Sequence, residues 1–558
     1  MIRRLTLAIA VCATTACAPE DSPPEVVESE VLGQQAQAAE PLDTPSEANA
    51  IRFLEQATFG PKLAAGASPL PIDSVEYVVA QGITDAITAQ LSAPRSTYSG
   101  ALETRDIGSQ FFTNAIQGKD QLRQRVAFAL SQIFVVSQSG IPNLMSTPES
   151  EPKLAMAGYL NRLSTNAFGN FRTLLEAMTL DPAMGTYLDM ANNKAFKTNG
   201  QPVAPNENYA REMLQLFTLG LHKLNDDGTE KVDAQGAPIP AYTEAHVQAF
   251  AHALSGWTYA SATGCPTVGR SNPASYAQKM IGCNVNHDST SRVLLRGVST
   301  TAGGGAAAHL KQALDNVFAD PNVPPFICKQ LIQHLVTSNP RPAYVRRVVN
   351  VFKDNGSGVR GDLRAVVRAI LEDVDARGPQ VPLAQHASYG HLRPPALFVT
   401  TLVRWLNGTL DTVGGTKDPG AKLASWSSAM GQAVPRPPSV FSYYPPNAPV
   451  PGGNGLLGPE FAILDTATIT ARANFVHELL YSTTPANAGV LVDVSALPAD
   501  SNDLTVWLGR YWLHHTMSSD LQLTVFNAIT DSRAGNATRK RKLAVYLTSL
   551  SPEFQVQR

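Results

Sequence analysis

Apolar residues recur at helical spacing through most of the chain. In residues 121–136 they fall on a single stripe, as in an amphipathic helix. The same spacing predicts helices in residues 161–179, 205–220, 245–254, 325–336, 344–352, 363–373, 395–406 and 504–515. The alternation typical of strands is confined to residues 293–295 and 490–494. We therefore predict a mainly α protein, a large helical domain with at most short β-hairpins.

Long segments rich in Gly, Pro, Asn and Ser separate the predicted helices. They cover residues 194–205, 225–242, 260–286, 409–419 and 434–459. Loops of this length are uncommon inside compact domains, and they often carry function. We therefore expect long Gly/Pro-rich loops to form part of any binding surface.

The first 16 residues have the pattern of a secretory signal peptide. Arg3 and Arg4 precede an apolar run in residues 5–13, and small residues then lead to Cys17. The apolar run is too short to span a bilayer permanently. We therefore expect the protein to be exported, with residues 1–16 removed.

The residues around the expected cleavage site resemble a bacterial lipoprotein signal, in which Cys17 would carry the lipid. Ala18, rather than Asp, follows the cysteine, and this favours the outer membrane over the inner one. If ordinary cleavage occurs nearby instead, the protein is periplasmic or secreted.

Residues 17–46 contain many acids and no Lys or Arg, so they are expected to form a flexible acidic tether that precedes a folded part beginning near Glu47.

The charge balance limits the possible partners. Lys and Arg number 44 and Asp and Glu number 46, which gives a formal net charge of −2. No basic excess is available to neutralise a phosphate backbone, so nucleic acid is not an expected partner. The partners that we expect are the membrane, reached through the N-terminal lipid, and an envelope polymer or protein.

Three cysteines remain beyond the signal peptide and the anchor. In an oxidising compartment Cys265 and Cys283 can close a loop as a disulfide. Cys328 lies in an apolar stretch and is expected to be a buried thiol.

The densest group of polar residues lies in PNENYAREMLQLFTLG, residues 205–220. As a helix, this segment forms the i,i+4 pairs Glu207–Arg211 and Asn208–Glu212. One interpretation is an amphipathic helix with Asn206 as its N-cap. The other is a catalytic or cation site in which Glu207 or Glu212 acts as acid, base or ligand and Arg211 positions it.

Two further segments contribute candidate residues. Asp189 lies near the end of a short helix that Asp181 and Pro182 begin, where the helix dipole does not favour an acid. Asp189, Glu207 and Glu212 together could bind calcium or magnesium, which prefer oxygen ligands. His287 and Asp288 form a neighbouring pair that can orient a base, ligate a metal or simply form a surface turn.

Phe441, Tyr443 and Tyr444 lie in a proline-rich segment. Such aromatic residues can form a platform for sugar or peptide, or they can fix a loop to the core. The sequence does not contain the G-x-S-x-G motif of many serine hydrolases or a CxxC pair for zinc.

Ten sequence strings, in order along the chain, resemble those of a large bacterial family known as the domain of unknown function numbered eighteen hundred. They are RFLEQATFGP (52–61), LRQRVAFALSQIFVVS (122–137), DPAMGTYLD (181–189), NENYAREMLQLFTLGL (206–221), SGW (255–257), PFICKQLIQHLVTSNP (325–340), VRGDLRAVVRAIL (359–371), PPSVFSYYPP (437–446), GPEF (458–461) and SPEFQVQR (551–558). The resemblance covers about residues 47–558 and implies one long domain of an exported family. The family has no established catalytic residues to carry over.

The chain departs from the family pattern at two places. Ala245 and His246 stand where the family commonly has an acid, and Arg292 stands where it has a lysine after the His-Asp pair. Arginine keeps the charge of lysine and changes its geometry.

Two hypotheses on function follow. The first is a surface binding or assembly protein, tethered by lipid, and the sequence favours it because each polar motif has an adequate structural explanation. The second is an exported hydrolase-like enzyme in which Asp189, Glu207, Glu212, His287 and Asp288 converge. The sequence leaves open whether the protein is an enzyme.

Overall fold

Helices carry nearly all of the regular structure. The computed structural model describes residues 41–101, 106–143, 147–378, 388–410, 418–453, 455–482 and 489–558. These residues contain 21 α-helices and two small antiparallel sheets, which confirms the predicted mainly α fold class. The predicted signal peptide, Cys17 and nearly all of the predicted tether fall in residues 1–40, outside the described residues.

The first ten helices lie before the first strand. They are α1 (Glu47–Ala57), α2 (Val75–Gln81), α3 (Ile83–Ser92), α4 (Ile107–Gln117), α5 (Gln121–Ile133), α6 (Pro152–Asn166), α7 (Phe171–Thr179), α8 (Pro182–Tyr187), α9 (Asn208–Gln215) and α10 (Glu244–Ala253).

The remaining helices follow the first sheet. They are α11 (Ala306–Phe318), α12 (Val323–Leu335), α13 (Pro342–Lys353), α14 (Leu363–Glu372), α15 (Pro395–Trp405), α16 (Pro419–Ala429), α17 (Thr466–Tyr481), α18 (Ser501–Tyr511), α19 (Ser519–Thr530), α20 (Ala537–Leu550) and α21 (Pro552–Gln555).

Side-chain caps fix where several helices begin. Asp181 accepts hydrogen bonds from the N–H groups of Ala183 and Met184, and Pro182 supplies the first residue of α8. The helix predicted over 161–179 is in fact two helices, because Gly169 and Asn170 interrupt it. The Asn170 side chain accepts from the Arg172 N–H and so begins α7.

The sheets are minimal. Strand β1 (Trp257–Thr258) pairs with β2 (Ile281–Gly282), and β3 (His391–Leu392) pairs with β4 (Val556–Gln557), both antiparallel. The runs predicted as strands do not form them. Val293 makes only an isolated bridge to Ser299, and within 490–494 only Leu491 is bridged, to Thr409.

One hydrophobic core extends from α1 to α21. Residues 39–558 form one compact unit, of which 39 and 40 are outside the described part. Buried ion pairs cross this core between segments far apart in sequence. The Arg393 guanidinium lies 2.6 Å from the Glu55 carboxylate of α1, and Arg404 lies 2.8 Å from Asp73.

A third group joins the first of these pairs. His514 Nε2 lies 3.1 Å from the second oxygen of Glu55, and all three side chains of this group are buried. Burial alone would raise the pKa of Glu55, but Arg393 and His514 outweigh it and hold that pKa below its ordinary value. The beginning, middle and end of the described body therefore meet at one carboxylate.

In the part of the chain that the structure describes, no helix is long and apolar enough to cross a membrane.

Candidate functional site

Helix α9 carries the polar segment that the sequence singled out. The Asn206 side chain accepts from the Asn208 N–H at 2.8 Å, so it caps the first turn, and Glu207 is the residue at the N-cap position. Arg211 lies one turn further on. It contacts Glu207 at 3.0 Å and forms a two-point pair with Glu244, the first residue of α10, at 2.7 and 2.9 Å.

The last turn of α10 holds a histidine beside a buried acid. His252 Nδ1 lies 2.6 Å from Asp288 Oδ2. The same oxygen accepts from Arg292 at 3.0 and 2.5 Å, while Asp288 Oδ1 accepts from the backbone and hydroxyl of Thr290. Both carboxylate oxygens are therefore fully engaged by groups that hold Asp288 in place.

These contacts define the tautomer of His252. An ionised carboxylate only accepts hydrogen bonds, so Nδ1 carries the proton and Nε2 is the basic nitrogen. Arg292 Nη2 also lies 3.1 Å from Nδ1, but it cannot donate to a nitrogen that is itself a donor. Nε2 has no hydrogen bond within the described residues, and the His252 side chain is 23% exposed.

The charges around His252 keep it neutral near pH 7. Burial lowers the pKa of His252, Arg292 lowers it further, and Asp288 opposes both without reversing the shift. Burial alone would raise the pKa of Asp288, but hydrogen bonds from Thr290 and Arg292 hold it well below the ordinary value. The pair is thus an ionised acid and a neutral base.

The two groups belong to one site. Helices α9 and α10 pack against each other, and the Glu207 carboxylate acts electrostatically on His252. We use the name acid–base cluster for the residues of both groups. They are Glu207, Arg211, Glu244, His252, Asp288 and Arg292.

Glu212 has a different environment from the cluster. One of its carboxylate oxygens, Oε2, is buried and has no hydrogen-bond partner among the described residues. Burial raises the pKa of Glu212 and outweighs the opposing effect of Arg211. The charge of Glu212 also helps to raise the pKa values of Tyr187 and Tyr242, which burial raises more strongly. This carboxyl group therefore takes up a proton more readily than a surface glutamate.

Asp189 lies close to the start of α9. It is exposed, has a φ of 58°, and accepts a hydrogen bond from Asn208 Nδ2 at 3.3 Å. Asparagine and aspartate tolerate the left-handed region better than most residues, which explains an acid where the helix dipole does not favour one. Asp189 thus helps to position Asn208.

His287 is not the histidine that pairs with Asp288. Its ring is buried, with Nδ1 2.9 Å from the Ser255 carbonyl and Nε2 2.9 Å from His309 Nδ1. The Ser255 hydroxyl in turn accepts from the Asp288 N–H. His287 therefore supports the loop that carries Asp288, and His252 makes the contact that the sequence led us to expect of His287.

The candidate cation ligands Asp189, Glu207 and Glu212 have separate side-chain surroundings. Within the described ranges, which include Asp189, Glu207 and Glu212, no group of three or more His, Cys, Asp or Glu side chains could hold a metal ion. Asp189 instead accepts a hydrogen bond from Asn208, and Glu207 pairs with Arg211. One oxygen of Glu212 is buried without a partner among the described residues.

The structure joins Cys265 and Cys283 in a disulfide, and Cys328 is a buried free thiol. The disulfide closes the segment between β1 and β2, and Cys283 lies shortly before the loop that carries Asp288.

Three cluster residues were not among the candidates from the sequence. Glu244 directly precedes Ala245 and His246, which with Arg292 are known from the sequence only as departures from the family pattern, and no sequence motif singles out His252. No spacing in the sequence brings His252 and Asp288 together, because they lie 36 positions apart with the first sheet between them. The fold, not the spacing, makes the two residues partners.

The fold and the cluster together define a large helical protein with a group of paired charged residues and a histidine at the junction of two helices and a loop. The chain belongs to the family described as "Protein of unknown function (DUF1800)", whose sequence model matches residues 52–556. This confirms the resemblance drawn from the ten strings. Comparisons with curated proteins and with solved structures gave no significant match.

Proposed function

We propose that this protein is an exported envelope enzyme that hydrolyses a polymer with His252 as the general base. One observation carries the proposal. Asp288 accepts from His252 Nδ1 at 2.6 Å, which leaves Nε2 unpaired within the described residues. A neutral imidazole that a buried carboxylate orients is a common general base in hydrolysis.

The chemistry requires no group beyond the cluster and water. Nε2 takes a proton from a water molecule as the water oxygen bonds to the electrophilic carbon of the substrate. The bond to the leaving group then breaks, and the proton passes from His252 to that group. General-base assistance of this kind contributes about 10²–10⁴ in rate.

Arg292 is placed to hold the substrate. Its Nε and Nη2 atoms are used on Asp288, which leaves Nη1 without a hydrogen bond in the described part of the chain. The side chain is 35% exposed. A guanidinium beside the base suits a carbonyl or anionic oxygen of the substrate.

A second candidate, a surface binding or assembly protein, is favoured by a different feature. The segment between α9 and α10 folds into a paired arm, with bridges His222–Pro240, Leu224–Glu230 and Val232–Pro238. Leu221 and Val232 are 56% and 55% exposed on it. An exposed arm beside a charged cluster suits contact with a polymer without any reaction.

One experiment separates the two candidates. Purified protein is incubated with peptidoglycan, polysaccharides, polyesters and peptides, and both turnover and binding are measured for wild type, His252→Gln and the control His477→Gln, which changes an exposed histidine. Turnover that His252→Gln abolishes and His477→Gln preserves supports the enzyme. Binding without turnover, unchanged in His252→Gln, would overturn the enzyme and support the binding protein.

The proposal includes export and a lipid anchor at Cys17, with the outer membrane as the location. It is supported by the signal-like residues 1–16, by the acidic tether and by the Cys265–Cys283 disulfide, since such bonds persist in oxidising compartments. Labelling with a fatty acid tests it. Cys17→Ser should lose label and membrane association, while Cys12→Ser, inside the removed segment, should keep both. Equal labelling of Cys17→Ser and wild type would exclude the anchor.

A further inference from the structure

A small pocket lies at the ends of α5 and α12, beneath the proline-rich segment. Its interior admits little more than a water molecule, and the space inside it and at its open mouth together is about 380 Å³, so a hydroxyl group can enter while the rest of a ligand stays at the mouth. Polar and aromatic residues line it, together with two prolines. They are Gln132, Gln333, His334, Ser338, Phe441, Ser442, Tyr444, Pro446, Pro459 and Glu460.

Three lining residues have buried polar atoms that lack a partner. Ser338 Oγ, Ser442 Oγ and Glu460 Oε2 make no hydrogen bond with any residue that the structure describes. The three residues are 2%, 5% and 4% exposed. Buried polar atoms are usually hydrogen-bonded, so these three mark positions at which a ligand hydroxyl or a water can supply the missing bonds.

The backbone of Ser442 supports the same conclusion. Its φ is 67°, in the left-handed region that a serine rarely adopts. The turn from Ser439 to Ser442 holds it there, through the Ser442 N–H and the Ser439 carbonyl. Residues kept in such conformations are concentrated at functional sites.

The pocket is built to bind hydroxyl groups. Glu460 Oε1 lies 3.2 Å from His391 Nδ1, which leaves Oε2 free to accept. His334 is uncharged, because burial, then Arg125 and His391, lowers its pKa to about 3. The lining therefore offers a carboxylate, a neutral imidazole, amides and hydroxyls, a set that both donates to and accepts from alcohols.

An aromatic ring completes the site. Phe441 lines the pocket and is 44% exposed, which is unusual for a phenylalanine. An open aromatic face beside carboxylate, amide and hydroxyl groups suits the apolar face and the hydroxyls of a sugar ring.

We propose that this pocket binds the terminal unit of an uncharged saccharide, with Phe441 against the ring and Ser338, Ser442 and Glu460 on its hydroxyls. The pocket lies on α5, α12 and the 434–460 segment, whereas the acid–base cluster lies on α9, α10 and the loop after β2. The proposal therefore does not depend on hydrolysis at His252.

The test is titration of the folded protein with maltotriose, cellotriose and the trimer of N-acetylglucosamine, followed by calorimetry and by saturation-transfer NMR. Phe441→Ala and Glu460→Gln should each weaken binding about tenfold or more, as expected for loss of a close contact or of a hydrogen bond to a charged group. Leu523→Ala, which removes another exposed apolar side chain elsewhere, should bind as wild type does.

Two results would overturn the proposal. The first is that none of the three saccharides binds the wild type, and the second is that Phe441→Ala, checked by circular dichroism to be folded, binds undiminished. Binding of a proline-rich or other peptide in place of sugar would also overturn it. His252→Gln should leave saccharide binding unchanged, so failure of the hydrolase proposal and failure of this one give different results.

Discussion

His252 Nδ1 and Asp288 Oδ2 are 2.6 Å apart, although the two residues belong to different elements. The acid is buried and both of its oxygens accept hydrogen bonds, whereas the histidine is partly exposed to solvent. Asp288 therefore positions the imidazole ring, and His252 is the residue proposed to act as the general base.

Asp288→Asn should alter His252 in a defined direction. Asp288 raises the pKa of His252 against burial and Arg292, so removal of its charge should lower that pKa further. Without the carboxylate to accept from Nδ1–H, the proton is no longer held on Nδ1 and can move to Nε2. Nitrogen-15 NMR of labelled histidine measures both. We also expect turnover to fall by about 10²–10⁴. An unchanged tautomer in Asp288→Asn would refute the positioning role, and the exposed His477 signal serves as the control.

Glu212→Gln should stabilise the protein at neutral pH. Burial raises the pKa of Glu212 in the folded state. At a pH above the ordinary pKa near 4.5, ionisation of this carboxyl therefore favours the unfolded state. Glutamine does not ionise, so the variant is free of this loss of stability. The gain in the free energy of unfolding should be present at pH 7 and absent below pH 4.5. Urea unfolding at the two pH values measures it, with Glu478→Gln on the surface of α17 as the matched control. A gain that is equal at both values would contradict the shifted pKa.

Mild acid should destabilise the fold through its histidines. Burial lowers the pKa values of His252, His287, His334 and His514, and that of His334 falls to about 3. Each group binds a proton more readily once unfolded, so stability is lost as pH falls below about 6.5, by up to about 1.4 kcal/mol per pH unit for each histidine. Unfolding curves at pH 7.5 and 5.5 test this. His334→Gln should show a smaller difference between the two, and an equal difference would refute the assignment.

Arg404→Met should be strongly destabilising. Arg404 is buried, contacts Asp73 at 2.8 Å and donates to the Gly60 carbonyl at 2.5 Å. Removal of one partner leaves Asp73 buried with less compensation, which costs about 3–5 kcal/mol. Arg533→Met, which breaks an exposed pair with Asp531, should change the stability very little, because solvent screens the pair. Similar losses in the two variants, measured by urea unfolding, would contradict the role given to burial.

The fold class could be predicted from the sequence more fully than the site, because helices depend on local spacing whereas the site depends on how helices pack. Helical periodicity is local, so the mainly α class followed from the sequence, and the cap at Asp181 was readable from its proline. The break at Gly169–Asn170 was missed because apolar spacing continues across it. Within the cluster, the Glu207–Arg211 pair follows from one helix, whereas Glu244 and His252 depend on how α10 packs against α9.

The short strands illustrate the same limit. Residues 293–295 alternate as a strand would, yet no neighbouring segment pairs with them along their length. His391 and Val556, whose strands do pair, lie in segments without a strand pattern. A two-residue strand is decided by the partner that the tertiary fold brings beside it.

The meeting of Glu55, Arg393 and His514 has a consequence for how the chain folds. Glu55 and Arg393 are 338 residues apart in sequence, so α1 cannot bury its carboxylate until most of the polypeptide has been made. Contacts of such long range slow folding, even in a helical protein, because a large loop must close first. A chain that emerges gradually from a ribosome therefore cannot complete the part of its core around Glu55 until Arg393 has been made.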